Sequence, residues 1–271
     1  MLTEGHVNTM NESVAGHDAS LDNAKGITTF AMKIVALLLV MLGSFSTAVL
    51  LPGVGDLATA DIGALTGVVV TDAFSWCAVP LYAWMLVNGF RRTHAAGWYL
   101  ARLAVLAAVS EVPYDMATSG WFFDMTSQNP VWGLCIALIA LMVLRAFQGR
   151  RDVASWAIRI AVLLAATLWA YLFNVGLRLG LVGEGLMTLV FAVIFYTLAR
   201  RENTMMLTAG AFGACMFILP VLGVMLLHWR SRREGYPAPW VKWLFYVLYP
   251  LQLLARRASR FLSANCVVVP Q

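Results

Sequence analysis

Charge is scarce in this chain. Only 12% of its 271 residues are Asp, Glu, Lys or Arg, while 61% are hydrophobic. A soluble globular domain carries about a quarter charged residues, so this composition does not build a water-facing surface. Histidine is scarcer still, at four residues, which leaves few side chains that exchange protons near neutral pH. Cysteine also numbers four: Cys77, Cys135 and Cys215 lie inside apolar runs and Cys266 near the end. None stands at ligand spacing from a second cysteine or a histidine, so no metal site is expected. Cys266 is not the fourth residue from the end, so prenylation is not expected. The apolar runs are continuous, without the alternation of a β-barrel. No basic patch with interleaved aromatics lies outside them, so nucleic acid is not an expected partner. No internal repeat is present. Residues 1–26 carry Glu4, Glu12, Asp18 and Asp22 without the basic start and cleavage site of a signal peptide. They read as a mobile polar tail.

What is present is apolar sequence, with a mean hydropathy of +0.75. Eight runs stand out, at about 27–51, 64–90, 98–117, 131–147, 153–173, 180–199, 205–229 and 240–255. Only helices and closed barrels satisfy the backbone in lipid. The expected fold is therefore all-α: a polytopic transmembrane helical bundle of about eight membrane segments. It forms one domain over 27–255, with a basic tail over 256–271. Arg91, Arg92, Arg145, Arg150, Arg151, Arg200 and Arg201 fall in or beside even-numbered loops, against Arg178 alone in the odd-numbered loops up to the sixth segment. Those even loops should face the cytoplasm, giving a multi-pass protein of the inner membrane with the lipid bilayer as its first partner. The end of the chain breaks the rule. Arg230, Arg232 and Arg233 precede the eighth run, and Arg256, Arg257 and Arg260 follow it. Both groups cannot be cytoplasmic if that short run spans; it reads as re-entrant or as tilted into the bundle.

The third run ends in Ser110-Glu111-Val112-Pro113-Tyr114-Asp115. Ionisable groups at membrane depth are costly and therefore functional suspects. Spacing of four puts Glu111 and Asp115 on one helix face, and Pro113 between them removes a backbone bond and bends the axis. Asp72 lies within the second run. One reading makes Glu111 a general base or amine anchor, supported by Asp115 and Asp72. Another pairs these charges with Arg102 or Arg159 on neighbouring helices, or leaves Asp115 marking the helix end. Gln128 and Asn129 precede Pro130. They read as a helix start. Tyr99 and Arg102 share a face of the third run. His94 and His228 read as interfacial residues, and most tryptophans as an aromatic belt.

These elements combine into a pattern. Pro80-Leu81-Tyr82-Ala83-Trp84-Met85-Leu86-Val87-Asn88-Gly89-Phe90-Arg91-Arg92-Thr93 is followed by Tyr99-Leu100-Ala101-Arg102-Leu103, the Glu111 cluster and Gln128-Asn129. The pattern returns in Phe245-Tyr246-Val247-Leu248-Tyr249-Pro250-Leu251-Gln252-Leu253. The series resembles the TraX family, named for a conjugation protein that N-acetylates pilin and similar to larger membrane acyltransferase families. The resemblance covers about 32–254 and implies an acyl-CoA-dependent transferase, acetyl-CoA being the first candidate donor. The acceptor would be an amine or hydroxyl of an envelope or pilin substrate. Arg91, Arg92 and Arg102 would hold the anionic cofactor, or serve only as headgroup anchors. Glu111, Asp115 and Ser44 would form the catalytic set; Gln128, Asn129, Asp72 and Gln252 would orient the acceptor.

The chain also departs from the family. An Asp-His pair usual in the first membrane helix is Gly43-Ser44 here. The His of Tyr-Pro-x-His-Leu is Gln252, an Arg four residues before Pro80 is Trp76, and the Glu of Glu-Gly-Phe is Asn88. Acyl transfer to an amine needs a base, and serine and glutamine are not bases near pH 7. Two readings stand: chemistry carried by Glu111, or a catalytically degenerate member acting as a membrane binding or assembly partner. A third, transport, lacks the paired broken helices of alternating access.

Overall fold

The computed structural model describes residues 26–55, 61–178, 182–216, 218–231, 233–236, 238 and 240–267. The expected polar tail, apart from Gly26, lies outside the described residues. The protein is a bundle of α-helices, with one two-residue antiparallel pairing of β1 (Leu177–Arg178) and β2 (Val182–Gly183).

Helix α1 (Thr29–Phe45) starts at Thr28, whose hydroxyl accepts the Ala31 N–H at 3.2 Å. It continues through a π-helical turn, Ser46–Leu50, into Leu51–Val54. There the Ser46 hydroxyl donates to the Val68 carbonyl at 2.9 Å, tying α1 to α2 (Ile62–Ser75). The second apolar run is two helices, because α3 (Ala78–Arg92) begins only after a turn at Trp76–Cys77. Pro80 has no N–H to return to the Trp76 carbonyl. The chain closes instead with i→i+3 bonds from Trp76 to Ala73 (3.1 Å), Cys77 to Phe74 (3.1 Å) and Val79 to Trp76 (3.2 Å). Helix α4 (Ala96–Thr118) carries on through Pro113. Helices α5 (Pro130–Ala146) and α6 (Val153–Leu172) are capped by the side chains of Asn129 and Asp152. Helix α7 (Glu184–Thr197) follows the β-hairpin.

Helix α3 is the hub, packed against α1, α5 and α7, while α5 and α7 form the closest pair. Their approach is set by glycines: a Cβ on Gly133 would lie 2.5 Å from the Gly185 Cα. Small residues are how helices dock closely where the surroundings are as apolar as the side chains. Leu81, Phe90, Leu138, Leu141, Phe191 and Phe195 fill the centre. The exterior is apolar too, with Val105, Val109, Leu164 and Leu168 more than half exposed. Two stretches, Ile62–Arg92 and Val153–Leu172, are long and apolar enough to cross a membrane; Thr29–Phe45, Pro130–Ala146 and Glu184–Thr197 are shorter apolar helices.

The seventh run, expected as one span over 205–229, folds back on itself. Helix α8 (Glu202–Cys215) ends at Met216, Ile218 takes a left-handed φ of 63°, and α9 (Pro220–His228) returns. A Cβ on Gly213 would meet the Val221 N at 3.1 Å, so the two limbs touch. Arg230 and Glu202, at the far ends of this hairpin, form an ion pair at 3.0 Å. Both limbs therefore begin and end at one end of the bundle. Residues 26–28 join them there, Ile27 exchanging hydrogen bonds with Trp229 and Ser231 at 2.8 Å, and Arg92 pairs with Glu234 at 3.2 Å. From this end α10 (Val241–Val267) runs alongside α4. Trp243 and Tyr246 lie beside Trp98 and Val105, and the Arg257 guanidinium sits 5.6 Å from the centre of the Phe122 ring at the other end. The arginine conflict thus has a physical origin: the seventh run is the re-entrant one, and α10 goes from one end to the other.

Candidate functional site

The helices enclose a cavity of about 450 Å³. Its ends differ in charge. At the end shared by the Arg91-Arg92 turn and 230–234 it is lined by Lys33, Arg92 and Arg102, with Glu234 and Tyr236. The Lys33 ammonium stands over the Tyr236 and Phe245 rings, 5.2 and 5.4 Å from their centres, a contact aromatic faces favour electrostatically. Asn88 and Tyr99 come next along the wall, one turn from Arg92 and beside Gly89, with Tyr82 further along α3 and Ser75 at the end of α2. The Tyr99 hydroxyl crosses α3 at Gly89, where a Cβ would be only 3.1 Å away. The far end is formed by Pro130 and Val131 at the start of α5, Glu184 and Thr188 in the first turns of α7, and Tyr249 of α10. Beside the cavity runs an apolar groove of about 330 Å³ between α4 and α10, sharing Arg102, Leu106, Trp243 and Tyr246 with it.

Of the residues singled out in sequence, Arg92 and Arg102 line the cavity, as do Asn88 and Tyr99; Arg91 does not. Glu111 stands outside it. Its carboxylate accepts the Trp132 indole N–H at 2.9 Å and the Asn129 backbone N–H at 3.3 Å. Asn129 in turn caps α5, its Oδ1 accepting the Val131 N–H at 3.1 Å and the Tyr249 hydroxyl at 2.6 Å. Glu111 thus reaches the cavity only through Asn129 and Tyr249. Loss of the Glu111 carboxylate strands two donors, each worth about 1–3 kcal/mol when left unsatisfied. Glu111→Ala should therefore lower the midpoint of thermal unfolding in detergent; an unchanged midpoint would show that water replaces the carboxylate without cost.

Asp115 is buried and turned elsewhere, its Oδ2 accepting the Asp124 N–H at 2.9 Å. Asp124 itself lies in the loop beyond α4, where hydrogen bonds from Thr126 hold its carboxyl below the usual carboxylate range. The expected shared face of Glu111 and Asp115 is real, but each carboxylate ties down a different part of the 119–130 loop. Asp72 is buried against Trp76, whose indole N–H donates at 3.3 Å. Gln128 holds the β-hairpin, accepting the Gly176 N–H at 2.7 Å through its carbonyl and the Trp169 indole N–H at 3.4 Å through its side chain. Ser44 is half-buried outside the cavity lining. Gln252 is 8% exposed, and its amide has no hydrogen-bond partner among the described residues. Trp76 is buried at 4%, while Phe45 points outward at 49%.

The matching profile is the one described as TraX protein, over residues 28–257. That range includes every residue that lines the cavity. The chain belongs to the TraX family. No curated protein and no solved structure matches it. In this TraX protein the cavity wall includes Lys33 and Glu184, which sequence reasoning left aside, and Tyr249, which it quoted only as part of the returning pattern. Lys33 and Glu184 were findable, since each is an ionisable residue inside an expected membrane run. Tyr249 was not, because nothing in its local sequence separates a lining tyrosine from a belt tyrosine. Among the described residues no cluster of metal-ligating side chains occurs.

Proposed function

We propose that this TraX-family protein is a multi-pass protein of the inner membrane that transfers an acetyl or other acyl group from acyl-CoA. The acceptor is an amine or hydroxyl of an envelope or pilin substrate. One observation carries the reading: a cavity inside the bundle has a cationic mouth built from Lys33, Arg92 and Arg102. That mouth lies at the same end as the Arg91-Arg92 turn and the Arg200-Arg201 loop, the end that the distribution of arginines assigns to the cytoplasm. Acyl-CoA carries its charge on phosphates at one end and its thioester at the other. Arginines at the entrance and an apolar channel beyond suit that polarity. The test is binding of radiolabelled acetyl-CoA to the full-length protein in lipid nanodiscs. Charge-assisted hydrogen bonds contribute about 1.5–3 kcal/mol each, so Arg92→Ala with Arg102→Ala should weaken binding by at least about tenfold. Equal binding by wild type and double variant would remove the cofactor site.

A degenerate, non-catalytic member is the second reading. It is favoured by the engagement of Glu111 with Trp132 and Asn129, and by Gln252 and Ser44 lying off the cavity. Under it, acetyl-CoA is never turned over, and the protein acts by holding a membrane partner.

A further inference from the structure

We propose that Glu184 is the carboxylate that receives the acceptor amine of this transfer at the far end of the cavity and takes its proton. This rests on the acyl-CoA reading above. Glu184 is the first residue of α7, 9% exposed, and lines the cavity together with Thr188 one turn later. Its carboxylate is within electrostatic reach of the Tyr82 hydroxyl, which lines the same cavity from α3. Ten residues of α3 separate Tyr82 from Arg92 at the mouth, a rise of about 15 Å at 1.5 Å per residue. That is the reach of an extended pantetheine arm. With its phosphates at Arg92 and Arg102, acyl-CoA brings its thioester to the level of Tyr82 and Glu184. Among the described residues Glu184 and Glu234 are the carboxylates on the cavity wall, and Glu234 is at the mouth, paired with Arg92. Glu111 is not on the wall.

The step balances on these groups. The amine nitrogen attacks the thioester carbonyl carbon and a C–N bond forms. The nitrogen's proton passes to the Glu184 carboxylate. The tetrahedral intermediate collapses, the C–S bond breaks, and the departing sulfur takes the proton from Glu184. The products are an amide, free CoA thiol and the restored carboxylate.

The experiment uses full-length protein in nanodiscs, radiolabelled acetyl-CoA and a panel of primary amines, including a peptide with a free N-terminus. Wild type should bind acetyl-CoA and acetylate at least one amine. Glu184→Gln should bind acetyl-CoA within about twofold of wild type yet transfer 10²–10⁴-fold more slowly, the contribution of a positioned base; Glu184→Asp should recover part of the rate. A variant that fails to fold is bypassed on the wild type. A hydrophobic carbodiimide should label Glu184, mapped by mass spectrometry, and acetyl-CoA should block that labelling without affecting Glu111. Transfer by Glu184→Gln within threefold of wild type, or labelling of Glu184 indifferent to acetyl-CoA, overturns the assignment and leaves the acyl-CoA reading standing. Wild type that binds acetyl-CoA but acetylates no amine also overturns it. Absence of acetyl-CoA binding overturns both.

Discussion

Gly223→Val is expected to prevent the protein from accumulating in a folded form. Gly223 lies in α9, where the re-entrant hairpin meets the bend between α2 and α3. A Cβ there would stand 2.3 Å from the Cys77 carbonyl oxygen and 2.7 Å from Pro80 Cγ. Neither neighbour can move: one is backbone in a tight turn, and the other is the proline that forces that turn. Overpacking a dense core costs about 1–3 kcal/mol even where side chains can shift. Here the whole α8–α9 hairpin must lift from α3. The measurement is the size-exclusion profile of a fluorescent fusion extracted in mild detergent. The expected trace is aggregate in the void volume. Gly210→Ala, on the same hairpin with nothing within 4 Å of its would-be Cβ, should run as wild type or gain about 0.5–1 kcal/mol of stability from better helix propensity. A monodisperse Gly223→Val protein would mean that the hairpin is not docked on α3.

The second large effect is an all-or-none difference in accessibility. On the multi-pass reading proposed above, a hairpin that returns to its starting end and an α10 that runs from one end of the bundle to the other put Ser231 and Ala258 on opposite faces of the membrane. In a cysteine-free background, a membrane-impermeant maleimide should label Ser231→Cys and Ala258→Cys from opposite sides of sealed vesicles. Ser231→Cys should behave like a cysteine in the Arg200-Arg201 loop. The ion pair of Arg230 with Glu202 and the approach of Arg257 to Phe122 are the contacts that fix this. Labelling of both positions from one side would make the 205–229 run a true span or α10 a re-entrant helix.

How far these features could be read in the sequence depends on what local chemistry encodes. Asn129-Pro130 announces a helix start, and α5 begins there, because an Asx side chain followed by proline is a self-contained solution to unsatisfied N–H groups. Arg91-Arg92 and Arg200-Arg201 announce one common end. The 205–229 run announced nothing, since hydropathy is the same whether a helix continues or reverses, and the reversal passes through Ile218, a residue that rarely takes positive φ. Its only clue was Pro220, which reads equally well as a kink. Glu111 and Asp115 were correctly seen as spaced for one face. What could not be seen is that the 119–130 loop folds back to meet both carboxylates, a tertiary contact invisible to spacing. Glu184 met the same rule that singled out Glu111, and went unremarked inside an apolar run assigned on length alone.

The Cys77 thiol gives the hairpin a built-in clock. Cys77 is 3% exposed, and its Sγ–H donates to the Leu219 carbonyl at the hairpin tip, 3.0 Å away. Alkylating reagents meet that sulfur only during excursions in which the tip departs. The pace of its modification in otherwise native membranes therefore counts those excursions, and a ligand that grips α3 slows the count without touching the sulfur itself.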